Sequence, residues 1–121
     1  MVVDDEPLAA QLLGDYVRQT PFLSLEGICS SAVEAFSMWQ EHPADLLFLD
    51  IQMPQMNGYP ATQKIRDLSR SDARTVPILA MTADAFSEDI EAAMAVGMNA
   101  HLAKPLDINL VIRTISRFLN R

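Results

Sequence analysis

The chain has one cysteine, Cys29, so no internal disulfide can form and a reducing, cytoplasmic setting is expected. It has no cluster of basic residues. Against 9 Lys and Arg stand 16 Asp and Glu, a formal charge of −7. Nucleic-acid binding by counterion release needs a basic face, so direct contact with DNA or RNA is not expected. Long apolar runs are also missing. The stretch Leu46-Leu47-Phe48-Leu49 is far short of a bilayer span, and Met1-Val2-Val3-Asp4-Asp5-Glu6 has neither the basic nor the apolar region of a signal peptide. No membrane partner is expected. Half the residues are apolar and 21% charged, which over 121 residues supports a single domain, 1–121, with one core.

Short apolar runs alternate with amphipathic stretches. Strands are predicted at Met1 to Val3, around Leu23, Leu25 and Ile28, at Leu46 to Leu49, at Pro77 to Met81 and at Asn99 to Ala103. Between them, Pro7 suits a first helical turn, followed by Leu8, Leu12, Leu13, Tyr16 and Val17 at helical spacing up to Thr20-Pro21. Ser30 or Ser31 can cap a second helix with Ala32, Ala35, Phe36 and Trp39 on one face, ending near His42-Pro43. A third helix is predicted around Ala61 to Leu68, and a fourth from Glu88 to about Val96, capped by Ser87 and closed by Gly97. The fifth runs from Ile108 to Phe118. This is an α/β protein of (βα)5 order. Right-handed crossovers place helices on both faces of a doubly wound parallel sheet, whose functional crevice lies at the carboxyl ends of the strands.

At those ends stand Asp4-Asp5 after the first strand, Asp50 after the third, Thr82 after the fourth and Lys104 after the fifth. Taken singly, the Asp pair reads as a turn or helix cap, Thr82 as a cap or satisfied hydroxyl, and Lys104 as an exposed lysine. Taken together they describe one pocket. Clustered carboxylates repel one another, and Mg2+ is a hard cation that takes oxygen ligands. A carboxylate can also accept a phosphoryl group, with a lysine stabilising charge on the transferring oxygens.

The motifs Val2-Val3-Asp4-Asp5-Glu6-Pro7, Leu47-Phe48-Leu49-Asp50-Ile51-Gln52-Met53-Pro54 with Met56-Asn57-Gly58, Met81-Thr82-Ala83 and Ala103-Lys104-Pro105 resemble those of two-component response-regulator receiver domains, over essentially the whole chain. The resemblance implies a flavodoxin-like fold with strand order 2-1-3-4-5. It implies that Asp50 accepts phosphate from a histidine kinase or a phosphotransfer domain. It also implies that Asp5, Asp50 and the Gln52 carbonyl ligate Mg2+, with Asp4 acting largely through a water on the cation. Lys104 would bridge Asp50 and the phosphoryl oxygens, before a cis bond to Pro105. Thr82 would move toward the phosphate, with the small Ala83 leaving room. His101 stands where receivers carry an aromatic switch residue, so a switch or packing role is implied. The face around the fourth helix, fifth strand and fifth helix would then exchange partners, an output domain, a target protein or a second copy in a homodimer.

Three departures accompany the resemblance. Only Met1 to Val3 precede Asp4, which suggests a shortened first strand. Up to Gly58 the chain resembles receivers of LytTR-type regulators, whereas Ala61-Thr62-Gln63-Lys64-Ile65-Arg66 and the stretch from Ala80 to Phe86 resemble receivers of hybrid sensor kinases, so an engineered chimera is a further expectation. Asp84 and Gln52 flank the position of an attacking water, and Asp84 is unusual there. Competing readings are a small phosphatase of the haloacid-dehalogenase type, a flavodoxin-like cofactor binder and a pseudo-receiver without efficient switching. The first needs an acid two positions after its nucleophile, where Gln52 stands. The second needs a Ser/Thr/Gly-rich loop after the first strand, which is missing.

Overall fold

The computed structural model describes residues 1–21, 23–42, 44–51, 58–68, 72–82, 87–104 and 106–119, with backbone alone at 58, 59, 87–89 and 119. Its elements are β1 (Val2–Val3), α1 (Pro7–Gln19), β2 (Ile28–Cys29), α2 (Ala32–Glu41), β3 (Leu47–Asp50), α3 (Gly58–Arg66), β4 (Ile78–Thr82), α4 (Ser87–Ala95), β5 (Ala100–Ala103) and α5 (Ile108–Leu119). All pairings are parallel, in the order β2-β1-β3-β4-β5. The predicted (βα)5 fold and its strand order are therefore present. No described helix is long and apolar enough to cross a membrane.

Parallel strands covered on both faces are apolar throughout. Val3, Leu47, Leu49, Ile78 and Ala80 face a layer that holds Ala32, Ala35 and Trp39 of α2, Ala61 and Ile65 of α3, and Ala93 of α4. Val2, Phe48, Leu79, Met81 and Leu102 face Ala10, Leu13 and Val17 of α1 with Val111 and Ile115 of α5. β1 is short, yet Val2 and Val3 have no exposed surface and sit between β2 and β3. Cys29 and Trp39 are packing residues, as expected, and Trp39 Nε1 donates to the Ala44 carbonyl at 3.4 Å.

Several boundaries differ from the sequence reading. β2 is confined to Ile28–Cys29, while Leu23 and Leu25 pack beside the α1–α5 core without joining the sheet. The buried stripe of α1 is Ala10, Leu13, Gly14 and Val17, leaving Leu8 80% and Leu12 48% exposed. A helix on a sheet buries only one stripe, and Gly14 sets which one. A Cβ there would lie 2.7 Å from Ile28 Cδ1, so α1 approaches β2 closely at that point. The α2 cap is Ser31, whose hydroxyl accepts from Glu34 N at 3.2 Å, while Ser30 Oγ donates to the Glu34 carboxylate. α3 starts earlier than expected, at Gly58, with Pro60 in its first turn. α4 begins at Ser87, one residue before the expected start. Gly97 closes α4 at φ 103°, as expected of a left-handed terminator. Met81 and Met98 are core filler, but Met94 is exposed on the outer face of α4.

Candidate functional site

The carboxyl edge of the sheet is built by register. Val2 and Val3 pair with Phe48 and Leu49, so Asp4 follows β1 at the level where Asp50 ends β3. Asp50 pairs with Met81, and Thr82 with Ala103. The backbone continues the ladder past the strand ends: Asp4 N donates to the Cys29 carbonyl at 3.0 Å, Ile51 N to Met81 at 3.1 Å and Lys104 N to Thr82 at 2.8 Å. Residues up to 100 positions apart in sequence are thereby held at one edge.

Carboxylate oxygens of Asp4, Asp5 and Asp50 all lie within 4.8 Å of one another. Asp4 and Asp50 are buried, whereas Asp5 reaches solvent. Asp4 is oriented from two sides: its Oδ1 accepts from Glu6 N at 2.9 Å, and its Oδ2 accepts from Lys104 Nζ at 2.9 Å. Lys104 Nζ also donates to Asp50 Oδ2, at the longer distance of 3.5 Å. Burial alone draws the Lys104 ammonium down, but the hydrogen bond to Asp4 and the charges of Asp50 and Asp4 outweigh it, so its pKa stands above the ordinary lysine value. Within this group one cation meets three carboxylates. The surplus of negative charge and the all-oxygen donor set fit a hard divalent cation such as Mg2+.

Thr82 is buried at the end of β4. His101 pairs with Ala80 and is half-buried, and alternation along the strands puts it on the same sheet face as Ala80 and Thr82. The structure thus brings Asp4, Asp5, Asp50 and Lys104 into one group, with Thr82 on the adjoining strand end and His101 further down the sheet. Gln52, Ala83, Asp84 and Pro105 lie outside the described residues.

Two clefts meet at this edge. One, of about 470 Å³, has Asp4, Lys104 and Met81 among its lining together with Leu8, Leu12 and Leu106. The other, of about 410 Å³, runs past Asp4, Asp5, Gln11, Ser30 and Glu34. The helical spacing of Leu8 and Leu12 does not by itself show which face of α1 they occupy. The signal that could have separated them from the core is Ala10, Leu13, Gly14 and Val17, a competing stripe with small residues suited to close packing.

The family model described as response regulator receiver domain matches residues 1–116. The polar-differentiation response regulator DivK of Brucella ovis is 30% identical over 119 residues, covering 98% of this chain and 94% of DivK. The sensor histidine kinase RcsC of Escherichia coli is 32% identical across the whole chain, which spans only 12% of RcsC, and the chain spans 8% of the probable histidine kinase 2 of Oryza sativa. The solved receiver domain of the sensor histidine kinase PA1611 from Pseudomonas aeruginosa PAO1, with a magnesium ion coordinated in its active-site cleft, superimposes with a TM-score of 0.86 at 28% identity, covering 99% of this chain and 95% of that one.

Proposed function

Because the chain belongs to the response regulator receiver domains, the signalling phosphoacceptor modules of two-component systems, we propose that Asp50 is its phosphoacceptor and that Asp4, Asp5, Thr82 and Lys104 complete the site. The observation that carries this assignment is the Lys104 ammonium set between Asp4 and Asp50 within a triad of carboxylates at the carboxyl edge of the sheet.

Asp5, Asp50 and the Gln52 carbonyl would hold Mg2+, with Asp4 behind them. When bound, the cation supplies positive charge that offsets the carboxylates and the oxygens of an incoming phosphoryl group. The chain's own residues perform the transfer. An Asp50 carboxylate oxygen attacks the phosphorus of a phosphohistidine on a histidine kinase or phosphotransfer domain. A P–O bond forms as the P–N bond breaks, and the electron pair returns to the donor imidazole. Lys104, already within reach of both Asp4 and Asp50, turns toward the new phosphoryl oxygens. The Thr82 hydroxyl donates to them, and His101, on the same sheet face, repacks with it. That bias alters the surface of α4, β5 and α5, where an output domain, a target protein or a second copy would be exchanged. Slow self-phosphorylation from small phosphodonors and slow self-dephosphorylation belong to the same site.

The test is incubation with Mg2+ and acetyl phosphate, or with Mg2+ and beryllofluoride, reading intact mass and amide shifts. Asp50→Asn should abolish both responses. Repeated turnover of varied phosphoesters would instead support the haloacid-dehalogenase-like reading, and indifference to Mg2+ the pseudo-receiver. The LytTR-like first half and the chimera expectation gain no support from the family model and the relatives, whose matches span both sides of Gly58.

A further inference from the structure

α3 ends in a polar network at the amino edge of the sheet, away from the acid cluster. Its centre is Arg66, the last residue of that helix. Nε and Nη2 donate to the Gly97 carbonyl at 3.2 and 2.7 Å, and Nη2 also donates to Asn99 Oδ1 at 2.9 Å. Nη1 donates to the carbonyls of Ala73 at 3.1 Å and Val76 at 2.7 Å. A guanidinium has five N–H donors in a rigid fork, and these bonds use them all. Arg66 therefore has no donor left for a ligand. Its role is to fix the end of α3 against the α3–β4 and α4–β5 connections.

Beside that fixed end the surface is open. A groove of about 410 Å³ runs between α2 and α3, lined by Val33, Phe36 and Gln40 from one helix and by Lys64, Asp67 and Leu68 from the other side. Phe36 and Leu68 are half-buried and pack against the core. Val33 has 63% of its surface exposed. Lys64 and Asp67 are exposed too, and neither side chain has an ion pair among the described residues. Arg18 and Asp15, at the same spacing on α1, do pair, at 3.2 Å. The helical bond from Asp67 N to the Gln63 carbonyl runs on past Arg66, so Lys64 and Asp67 lie one turn apart on one side of the helix.

We propose that this groove seats a second copy of the chain, about a two-fold axis that crosses α3 between Lys64 and Asp67. The patch is its own complement. Such an axis sets the two α3 helices antiparallel and brings each Lys64 to the Asp67 of the other copy, so one turn of helix supplies two ion pairs. The exposed Val33 of each copy supplies an apolar knob, and the half-buried Phe36 and Leu68 supply the surface that receives it. A patch of one charge sign would call instead for a partner of different sequence. The Arg66 network holds α3 in place before the copies meet, which lowers the cost of association. The contact uses α2 and α3, apart from the acid cluster and from the surface of α4, β5 and α5. It needs neither Mg2+ nor phosphate and stands independently of the phosphoacceptor reading.

Sedimentation equilibrium of the 121-residue chain in chelator tests this. From about 10 to 500 µM it should show a reversible monomer–dimer equilibrium that NaCl weakens, as suits a small and partly polar contact. Lys64→Glu or Asp67→Lys alone sets like charges opposite each other twice per dimer, and should weaken self-association at least about tenfold. An equimolar mixture of those two variants should dimerise again, because each then complements the other. The double variant Lys64→Glu/Asp67→Lys should recover the wild-type dissociation constant within about threefold. Val33→Ser should weaken the dimer as well. All three positions are exposed in the single chain, so urea midpoints measured at low concentration should stay at the wild-type value. Single charge reversals that leave the dimer intact, or a mixture that does not pair, would overturn the proposal. A chain that remains monomeric throughout the range would overturn it too, and would leave the groove to a different partner.

Discussion

Lys104 and Cys29 show how position decides chemistry for single residues. Lys104 is only 20% exposed and faces two carboxylates, of which Asp4 is the nearer. In chelator, Lys104→Met is expected to destabilise the chain by about 1–3 kcal/mol in urea denaturation. That is below the cost of breaking a fully buried pair, because part of the ammonium remains in water. The sign with pH follows from the raised pKa. The stabilisation is complete below the ordinary lysine value of about 10.4 and is lost as pH rises through the folded value. The gap between wild type and Lys104→Met should therefore narrow at strongly alkaline pH and stay constant across neutrality. Cys29 behaves oppositely. Burial, reinforced by the charge of Glu34, pushes its thiol up to about 11. At pH 8 the thiolate fraction is then about a thousandth, so disulfide-exchange labelling should run more than about a hundredfold slower than for a free thiol and recover in denaturant. Rapid stoichiometric labelling of the native chain would contradict this.

Among the elements, α1 separates apolar spacing from burial. Leu8, Leu12 and Leu13 all recur at helical intervals, but only Leu13 is turned to the sheet. Leu13→Ala should cost about 2–5 kcal/mol and Leu8→Ala no more than about 0.5, measured as shifts of the urea midpoint. Equal losses would mean that α1 is rotated from the orientation described. The same distinction explains what was legible in the sequence. β3 and β4 were readable because their apolar runs are covered on both faces and end at polar residues. β2 was not, because Leu23 and Leu25 are half-buried by packing beside the core and do not join the sheet. The site was readable as a set of strand ends, since parallel order brings those ends together whatever the loop lengths. The preference of Lys104 for Asp4 over Asp50 was hidden, as it depends on side-chain reach across the edge. The Arg66 network was hidden more completely. Apart from Asn99 Oδ1, its acceptors are backbone carbonyls up to 31 positions away, and carbonyls leave no trace in residue type.

For the molecule as a whole, the sheet separates two polar poles. The amino edge is held by a guanidinium whose donors are all used, so it is bound tightly without any ligand. At the carboxyl edge, among the described residues, the carboxylates of Asp4, Asp5 and Asp50 cluster around the Lys104 ammonium, a surplus of negative charge. This asymmetry predicts how global stability answers to a divalent cation. A ligand that binds only the folded state adds RT ln(1 + [L]/Kd), about 2.7 kcal/mol at a hundredfold excess over Kd. Titrating Mg2+ into chelator-treated protein should therefore raise its thermal midpoint in a saturable way, whereas an equal ionic strength of NaCl should not. Asp5→Asn removes the carboxylate that reaches solvent. In chelator it should match or exceed wild type by up to about 1 kcal/mol, the repulsion between unit charges about 4 Å apart in water. With Mg2+ present the order should reverse, because the variant loses a ligand and most of the cation's stabilisation. A variant less stable than wild type without the cation and equally responsive to it would mean that Asp5 is a turn residue, and that the charge surplus at this edge is balanced some other way.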